Sequence, residues 1–292
     1  MYCNGAHGDR FRRGTSCSGS RRHRARWQLA LHRRWGLFRD EAETAIQEEP
    51  VPAETRSRQP APIAALVLDI DGLLVDSETV SGEALRLFLR GHGHEMLAST
   101  LEGALGRRLP EAVGLVAESY DLPGPLDELV VAFDAIRLEA LRGNVVAMPG
   151  AVALLDWAAA NGLPRALATS SFRGHAEVSL AEAALQGRFD VEVTGDEVQF
   201  GKPAPDLFLL AAERLGVPPE SCVVFEDAPA GLEAAARAGM RRVWVPNAHT
   251  RHLAPPVPVD ATLESLGDAI GWLKAQGVGR ARAAPRGVES RK

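Results

Sequence analysis

Residues 68–78, Leu-Asp-Ile-Asp-Gly-Leu-Leu-Val-Asp-Ser-Glu, put two carboxylates at the end of a hydrophobic run. An extended backbone sends the side chains of Asp69 and Asp71 to the same side, and Gly72 allows the chain to turn sharply straight after them. In open α/β sheets ligands sit beyond the carboxyl ends of the strands, so this pair would offer converging oxygen atoms to a ligand in that crevice. An isolated Asp-x-Asp-Gly reads equally well as a turn-forming or helix-capping pair.

Three further strand ends bear on the choice. Thr169, followed by Ser170 and Ser171, closes the apolar stretch 165–169 and offers hydroxyl and backbone N–H donors. Lys202 lies in Gly-Lys-Pro-Ala-Pro-Asp, a proline-stiffened loop ahead of a helix. Glu226 and Asp227 close the stretch 222–226 with a second pair of acids. Taken singly, Thr169 reads as a helix cap, Lys202 as a solvated lysine and Glu226 with Asp227 as turn acids. Together they put oxygen acceptors, hydroxyls and one ammonium at the same end of successive strands.

The elements that must position these residues are legible as a pattern. Short apolar runs at 64–70, 165–169, 222–226 and 242–245 have the form of buried strands. Between the last three lie helix-period segments. Val152, Leu155 and Ala159 share one face, Leu207, Leu210 and Ala211 another, and the segment 229–238 stops at Gly239. Strand and helix in alternation imply an α/β fold, a parallel sheet covered by helices. A last helix is expected to carry Leu263, Leu266, Ile270 and Leu273 on one stripe. Residues 81–145 break the alternation. Leu85, Phe88 and Leu89 make one apolar face, and Leu126, Leu129, Val130, Phe133, Ile136 and Ala140 a longer one, which reads as a helical insertion after the first strand.

Charge and cysteine usage narrow the class. Residues 1–60 carry 12 Arg and 7 acids, a net of plus 5, while the remaining residues carry 21 basic and 31 acidic side chains, a net of minus 10. An acidic body opposes nucleic-acid binding. Cys3, Cys17 and Cys222 are too few and too scattered for a disulfide framework or a thiolate zinc site. No apolar run approaches the roughly 18–20 residues of a membrane span, so a cytoplasmic body is expected. The Arg- and Pro-rich residues 1–60 read as a disordered extension, with a transit peptide or an arginine arm as the functional alternatives.

The four strand-end motifs together resemble the haloacid dehalogenase superfamily over about residues 63–275, specifically its members with a helical cap after the first strand. Ala-Thr-Ser-Ser at 168–171, Gly-Lys-Pro-Ala-Pro-Asp at 201–206 and Phe-Glu-Asp-Ala-Pro-Ala-Gly at 225–231 look closest to β-phosphoglucomutase-like enzymes and to pseudouridine- or sugar-phosphate phosphatases. The resemblance implies a doubly wound, Rossmann-like core at 61–80 and 146–276, a cap at 81–145 and a flexible tail at 277–292. It carries over Asp69 as nucleophile, Asp71 as general acid and base, Thr169 and Lys202 as phosphate stabilisers, and Glu226 and Asp227 as acids of a Mg²⁺ site. Mg²⁺ takes hard oxygen ligands, so Asp69, the backbone carbonyl of Asp71 and Asp227 would suffice, with Glu226 direct or through water.

The expected activity is hydrolysis of a small phosphorylated metabolite, a sugar phosphate or nucleoside-type monophosphate, by a monomer with no nucleic-acid or membrane partner. Asp71 favours ester chemistry, because the family's dehalogenases and phosphonatases generally lack the second Asp. The mutase pattern has a His where this chain has Ser81, which favours hydrolysis over a hexose-phosphate mutase. Ser170, Glu78, Arg107, Arg108 and Arg173 are the candidate substrate contacts, the charged ones among them reading equally as surface charges. His175 reads as a helix-surface residue. A non-catalytic metabolite binder on the same fold is the reading from another class, and loss of any motif acid would have favoured it.

Overall fold

The strand β1 (Ala65–Leu68) is Ala-Leu-Val-Leu and is buried along its whole length, as a strand with helices on both of its faces must be. The computed structural model describes residues 61–279, except residue 105. With β2 (Arg165–Ala168), β3 (Val191–Val193), β4 (Cys222–Glu226), β5 (Arg241–Trp244) and β6 (Ala261–Thr262), β1 forms a parallel sheet in the order β3-β2-β1-β4-β5-β6. Leu68 stands opposite Leu167 of β2 and Phe225 of β4, so the residues that follow these three strands emerge side by side. The order reverses between β1 and β4, the place where doubly wound sheets open a crevice.

Alternation along the strands divides the core in two. Leu66, Leu68, Leu167, Val223 and Phe225 pack on one face, against Leu154 and Leu155 of α5 (Ala151–Ala160), Leu180 of α6 (Arg173–Glu182) and Leu273 of α9 (Ala269–Ala275). Ala65, Val67, Ala166, Cys222 and Val224 pack on the other, against Leu207 and Phe208 of α7 (Asp206–Leu215) and Ala234 and Ala235 of α8 (Pro229–Arg237). The expected α/β class and doubly wound core are what the structure shows.

Four helices lie between β1 and α5: α1 (Glu78–Gly91), α2 (Ala98–Ala104), α3 (Leu109–Tyr120) and α4 (Leu126–Leu141). Leu85, Phe88, Leu89, Leu109, Val113, Val116, Leu129 and Phe133 form a separate apolar cluster among α1, α3 and α4. The chain leaves and re-enters the sheet layer along one seam, where Asp76 N–H donates to Val146 O at 3.0 Å and Met148 N–H donates to Leu74 O at 2.8 Å.

Some details differ from expectation. The stripe from Leu263 to Leu273 is not one helix. Leu263 follows β6 and donates its N–H to Trp244 O, a 3₁₀ turn spans Leu266–Asp268, and α9 begins at Ala269. The strands β3 and β6 have three and two residues, too short for periodicity to register. In α5 the buried positions are Ala151, Leu154, Leu155 and Ala158, so Val152 and Ala159 face outward. The readings of residues 1–60 and 280–292 lie outside the described residues. Among the described residues no helix is long and apolar enough to cross a membrane.

Candidate active site

Because the central strands are parallel and in register, their carboxyl ends deliver side chains to one place. Asp69 and Asp71 arrive from β1, Thr169 to Ser171 from β2, Glu226 and Asp227 from β4, and Asn247 from the loop after β5. The turn after β1 depends on Gly72. Its φ is +83°, and an added Cβ would lie 2.5 Å from both Asn247 Nδ2 and Asp227 Oδ2.

Lys202 is 1% exposed and bridges two acids: its Nζ donates to Asp69 Oδ1 at 2.5 Å and to Glu226 Oε1 at 2.5 Å. The other Glu226 oxygen accepts the backbone N–H groups of Asp227 and Ala228 at 2.9 and 3.0 Å. Glu226 thus holds both the lysine and the turn into α8. Gly231 makes room for it, since a Cβ there would fall 1.7 Å from Glu226 Oε1. Burial dominates the titration of Asp69 and, with the charges of Glu226 and Asp71, outweighs Lys202, pushing the Asp69 carboxyl up to about 8. Burial works against the ammonium of Lys202, but Asp69 and Glu226 prevail and raise it above its ordinary value.

Asp71 is held differently. Its Oδ1 accepts from Ser77 Oγ at 2.5 Å and faces Arg137 Nη2 at 3.4 Å, and its Oδ2 accepts from Ser171 Oγ at 2.5 Å and Thr169 Oγ1 at 3.5 Å. Burial alone would raise this carboxyl, yet the Arg137 guanidinium and the Ser171 and Ser77 hydroxyls outweigh it and hold Asp71 below the usual range. The two acids of one motif are therefore driven in opposite directions: without a metal cation beside it Asp69 retains its proton near neutral pH, while Asp71 is ionised.

Asp69, Glu226 and Asp227 each offer an oxygen within 4.8 Å of the others. Asp227 Oδ1 is buried without a hydrogen-bond partner. Burial and the charges of Glu78, Glu226 and Asp69 raise Asp227 well above its ordinary value. A buried acid with an orphaned oxygen, among hard oxygen donors and excess negative charge, fits a divalent cation. The side chain of Asp71 lies with Ser77, Ser171 and Arg137, so its share in such a site would come from its backbone. Asn247 Nδ2 donates to Asp227 Oδ2 and to Glu78 Oε2, both at 2.8 Å, and to Gly72 O at 3.1 Å. Burial lifts Glu78 to about 8 against the pull of Asn247.

Above the strand ends lies a cavity of about 790 Å³, counted out to open solvent. Asp69, Asp71, Glu78, Thr169, Ser170, Arg107 and Arg137 are among the residues lining it. Ser170 Oγ donates to Gly106 O at 2.9 Å, tying β2 to the segment between α2 and α3.

Two candidate contacts are not brought to the cavity. Arg108, the residue ahead of α3, pairs with Glu111 at 2.6 Å and donates to Val198 O at 3.2 Å. Arg173, the first residue of α6, is drawn to Glu192 at 3.0 Å and Glu197 at 2.6 Å. His175 is not on the surface: it is 3% exposed, with Nε2 3.2 Å from Asp134 Oδ1.

Arg137, Asn247 and Ser77 were not singled out from the sequence as site residues, while Ser171, read there only as a donor at a strand end, is found on Asp71. Asn247 follows a strand, so the rule of strand ends could have found it. Arg137 is a lone cation on the apolar face of α4, a signal that only the fold connects to Asp71, 66 residues earlier.

A model of the haloacid dehalogenase-like hydrolase family matches residues 63–239. The probable pseudouridine-5'-phosphatase of Drosophila melanogaster is 40% identical over 187 residues, covering 62% of this chain and 80% of that protein. Fructose-1-phosphate phosphatase YqaB of Escherichia coli is 36% identical over 191 residues, covering 62% and 96%. The crystal structure of CbbY from Rhodobacter sphaeroides in complex with phosphate superposes with a TM-score of 0.64 at 27% identity, over 70% of this chain and 96% of that one. The family match spans well over half of the chain and falls on the elements that carry Asp69, Thr169, Lys202 and Glu226, so this chain belongs to the haloacid dehalogenase-like hydrolases.

Proposed function

We propose that the chain is a Mg²⁺-dependent phosphatase that hydrolyses monoesters of small metabolites through a phosphorylated Asp69. The observation that carries this reading is the buried cluster of Asp69, Lys202, Glu226 and Asp227, with Asp71 two residues beyond Asp69 and held by Ser77, Ser171 and Arg137. Relatives named as phosphatases of pseudouridine 5'-phosphate, fructose 1-phosphate and phosphorylated carbohydrates support the substrate class.

Asp69 attacks phosphorus, and the bond from phosphorus to the ester oxygen breaks. The leaving oxygen takes a proton from Asp71, so the alcohol departs neutral. Water then attacks the phosphoryl group on Asp69, gives its proton to Asp71 and releases inorganic phosphate with Asp69 restored. Asp71 is kept ionised in the empty site, and the negative charge of a bound ester opposes that lowering and favours the protonated form the first step needs.

Lys202 and the Thr169 hydroxyl would stabilise the phosphoryl oxygens, where charge redistributes in the transition state, while the Ser170 hydroxyl is given to Gly106 O. Two unit charges of like sign at 4 Å repel by about 4 kcal/mol at an effective dielectric near 20, so an acid attacking an anion needs cations beside it. Asp69, Asp227 and the Asp71 carbonyl would hold Mg²⁺, with Glu226 already committed to Lys202. When bound, the cation offsets the charge of both acid and phosphate.

The test is phosphate release from a panel of sugar phosphates, nucleoside monophosphates and phosphoglycolate, with Mg²⁺ and with EDTA. Metal-dependent release is expected. Isomerisation driven by a sugar bisphosphate without net release would replace the phosphatase by a mutase, a reading weakened by Ser81, whose hydroxyl accepts from Arg137 Nε at 2.9 Å.

A further inference from the structure

The cavity above Asp69 has two chemically different ends. Its floor is the charged and hydroxyl-bearing set Asp69, Asp71, Thr169 and Ser170. Its far wall is apolar, built by Leu85, Phe88, Leu109, Val113, Val116 and Phe133, with Leu101 and Ala112 beside them. The first six are also members of the cluster that holds α1, α3 and α4 together, so the cavity enters the hydrophobic interior of these helices.

Several of the polar groups that line the cavity already have partners. Arg137 is joined to Ser81 and Asp71, Glu78 to Asn247, and Arg107 Nε donates to Gly103 O at 3.0 Å. A sugar alcohol pushed against the far wall would strip its hydroxyls of water and meet no acceptor there. An apolar body would gain by leaving water for that wall. The rings of Phe88 and Phe133, with centroids 5.4 Å apart and tilted by 55°, both line this wall.

We propose that the preferred substrate is a phosphate monoester whose alcohol ends in an apolar ring, seated against Phe88, Phe133 and Val113 while the phosphate lies at Asp69. This specificity rests on the phosphatase reading and sharpens it, since it ranks ring-bearing esters above polyol phosphates.

The experiment compares kcat/KM for 2-phenylethyl phosphate, glucose 6-phosphate and phosphoglycolate, with Mg²⁺, in the wild-type chain and in Ala112→Phe, which fills the apolar end. The ring ester is expected to exceed glucose 6-phosphate by about tenfold or more, the scale on which an apolar pocket discriminates. Ala112→Phe is expected to lower the ratio of ring ester to phosphoglycolate by about tenfold. A wild-type preference for glucose 6-phosphate, or equal kcat/KM for the two, overturns the proposal while leaving the phosphatase standing, and this comparison decides even if Ala112→Phe does not fold. An unchanged ratio in a folded Ala112→Phe protein also overturns it. Release from none of the three esters overturns the phosphatase reading and this one with it.

Discussion

Lys202 Nζ sits 2.5 Å from Asp69 Oδ1, with both residues buried although they lie 133 positions apart in the chain. The same ammonium contacts Glu226, so one cation holds Asp69 and the turn before α8. Replacing Lys202 by Met leaves Asp69 and Glu226 buried without a counter-charge. A loss of about 3–5 kcal/mol in unfolding free energy is expected, together with a fall in kcat/KM of at least about 100-fold. Denaturant unfolding and steady-state kinetics measure the two. An unaltered kcat/KM in the folded variant would remove Lys202 from the chemistry.

Gly231→Ala addresses the support of that lysine. The added Cβ would collide with Glu226 Oε1 at 1.7 Å and with its Cδ at 2.0 Å, so Glu226 must shift and release Lys202. A destabilisation of about 1–3 kcal/mol is expected, as for an overpacked interior. A variant as stable and as active as wild type would show that Glu226 has freedom that the packing denies it.

Much of this site was legible in advance because buried parallel strands advertise themselves as apolar runs, and whatever polar residue ends such a run must face the crevice. Asp69, Thr169 and Glu226 stand at such ends, whereas Lys202, which by itself reads as a solvated lysine, is tied to them by the family resemblance of Gly-Lys-Pro-Ala-Pro-Asp. Arg137 was not, because a cation on a helix carries no mark of the acid it will meet. The separate fates of Arg107 and Arg108 were equally hidden. Both lie in the segment between α2 and α3, where the local pair with Glu111 and the contact with Val198 O turn Arg108 away while Arg107 lines the cavity. The strands β3 and β6 escaped because their stability comes from pairing with β2 and β5 rather than from any local pattern.

The opposite titrations of the two motif acids make a prediction for Asp71. Its folded pKa lies below the ordinary value of 3.8, so its ionised form stabilises the fold above that pH, and the contribution is lost as pH falls through the folded value. Wild type should exceed Asp71→Asn in unfolding free energy at neutral pH, with the gap closing below about pH 4. Denaturant melts across the acid range check this. A gap independent of pH would mean that Arg137, Ser77 and Ser171 do not stabilise the charge.

Asp69, Glu78 and Asp227 behave in the reverse sense. Burial lifts Asp69 and Glu78 to about 8 and raises Asp227, so between the ordinary carboxylate range and about pH 8 the metal-free fold binds protons that the unfolded chain does not. Its stability must therefore fall as pH rises through that window. A divalent cation at Asp69 and Asp227 removes the cause. The rise in melting temperature on adding Mg²⁺ to EDTA-treated protein should be larger near pH 8 than near pH 6. No rise at either pH would contradict the assignment of these acids to a metal.

The central claim is that Asp69 becomes phosphorylated. Rapid quenching of the wild-type enzyme during turnover of its best ester with Mg²⁺, followed by peptide mass spectrometry, tests it directly. The account predicts one phosphoryl group on the peptide containing Asp69, absent in Asp69→Asn and absent when EDTA replaces Mg²⁺. Steady hydrolysis by Asp69→Asn, or a phosphoryl group on another residue, would contradict it.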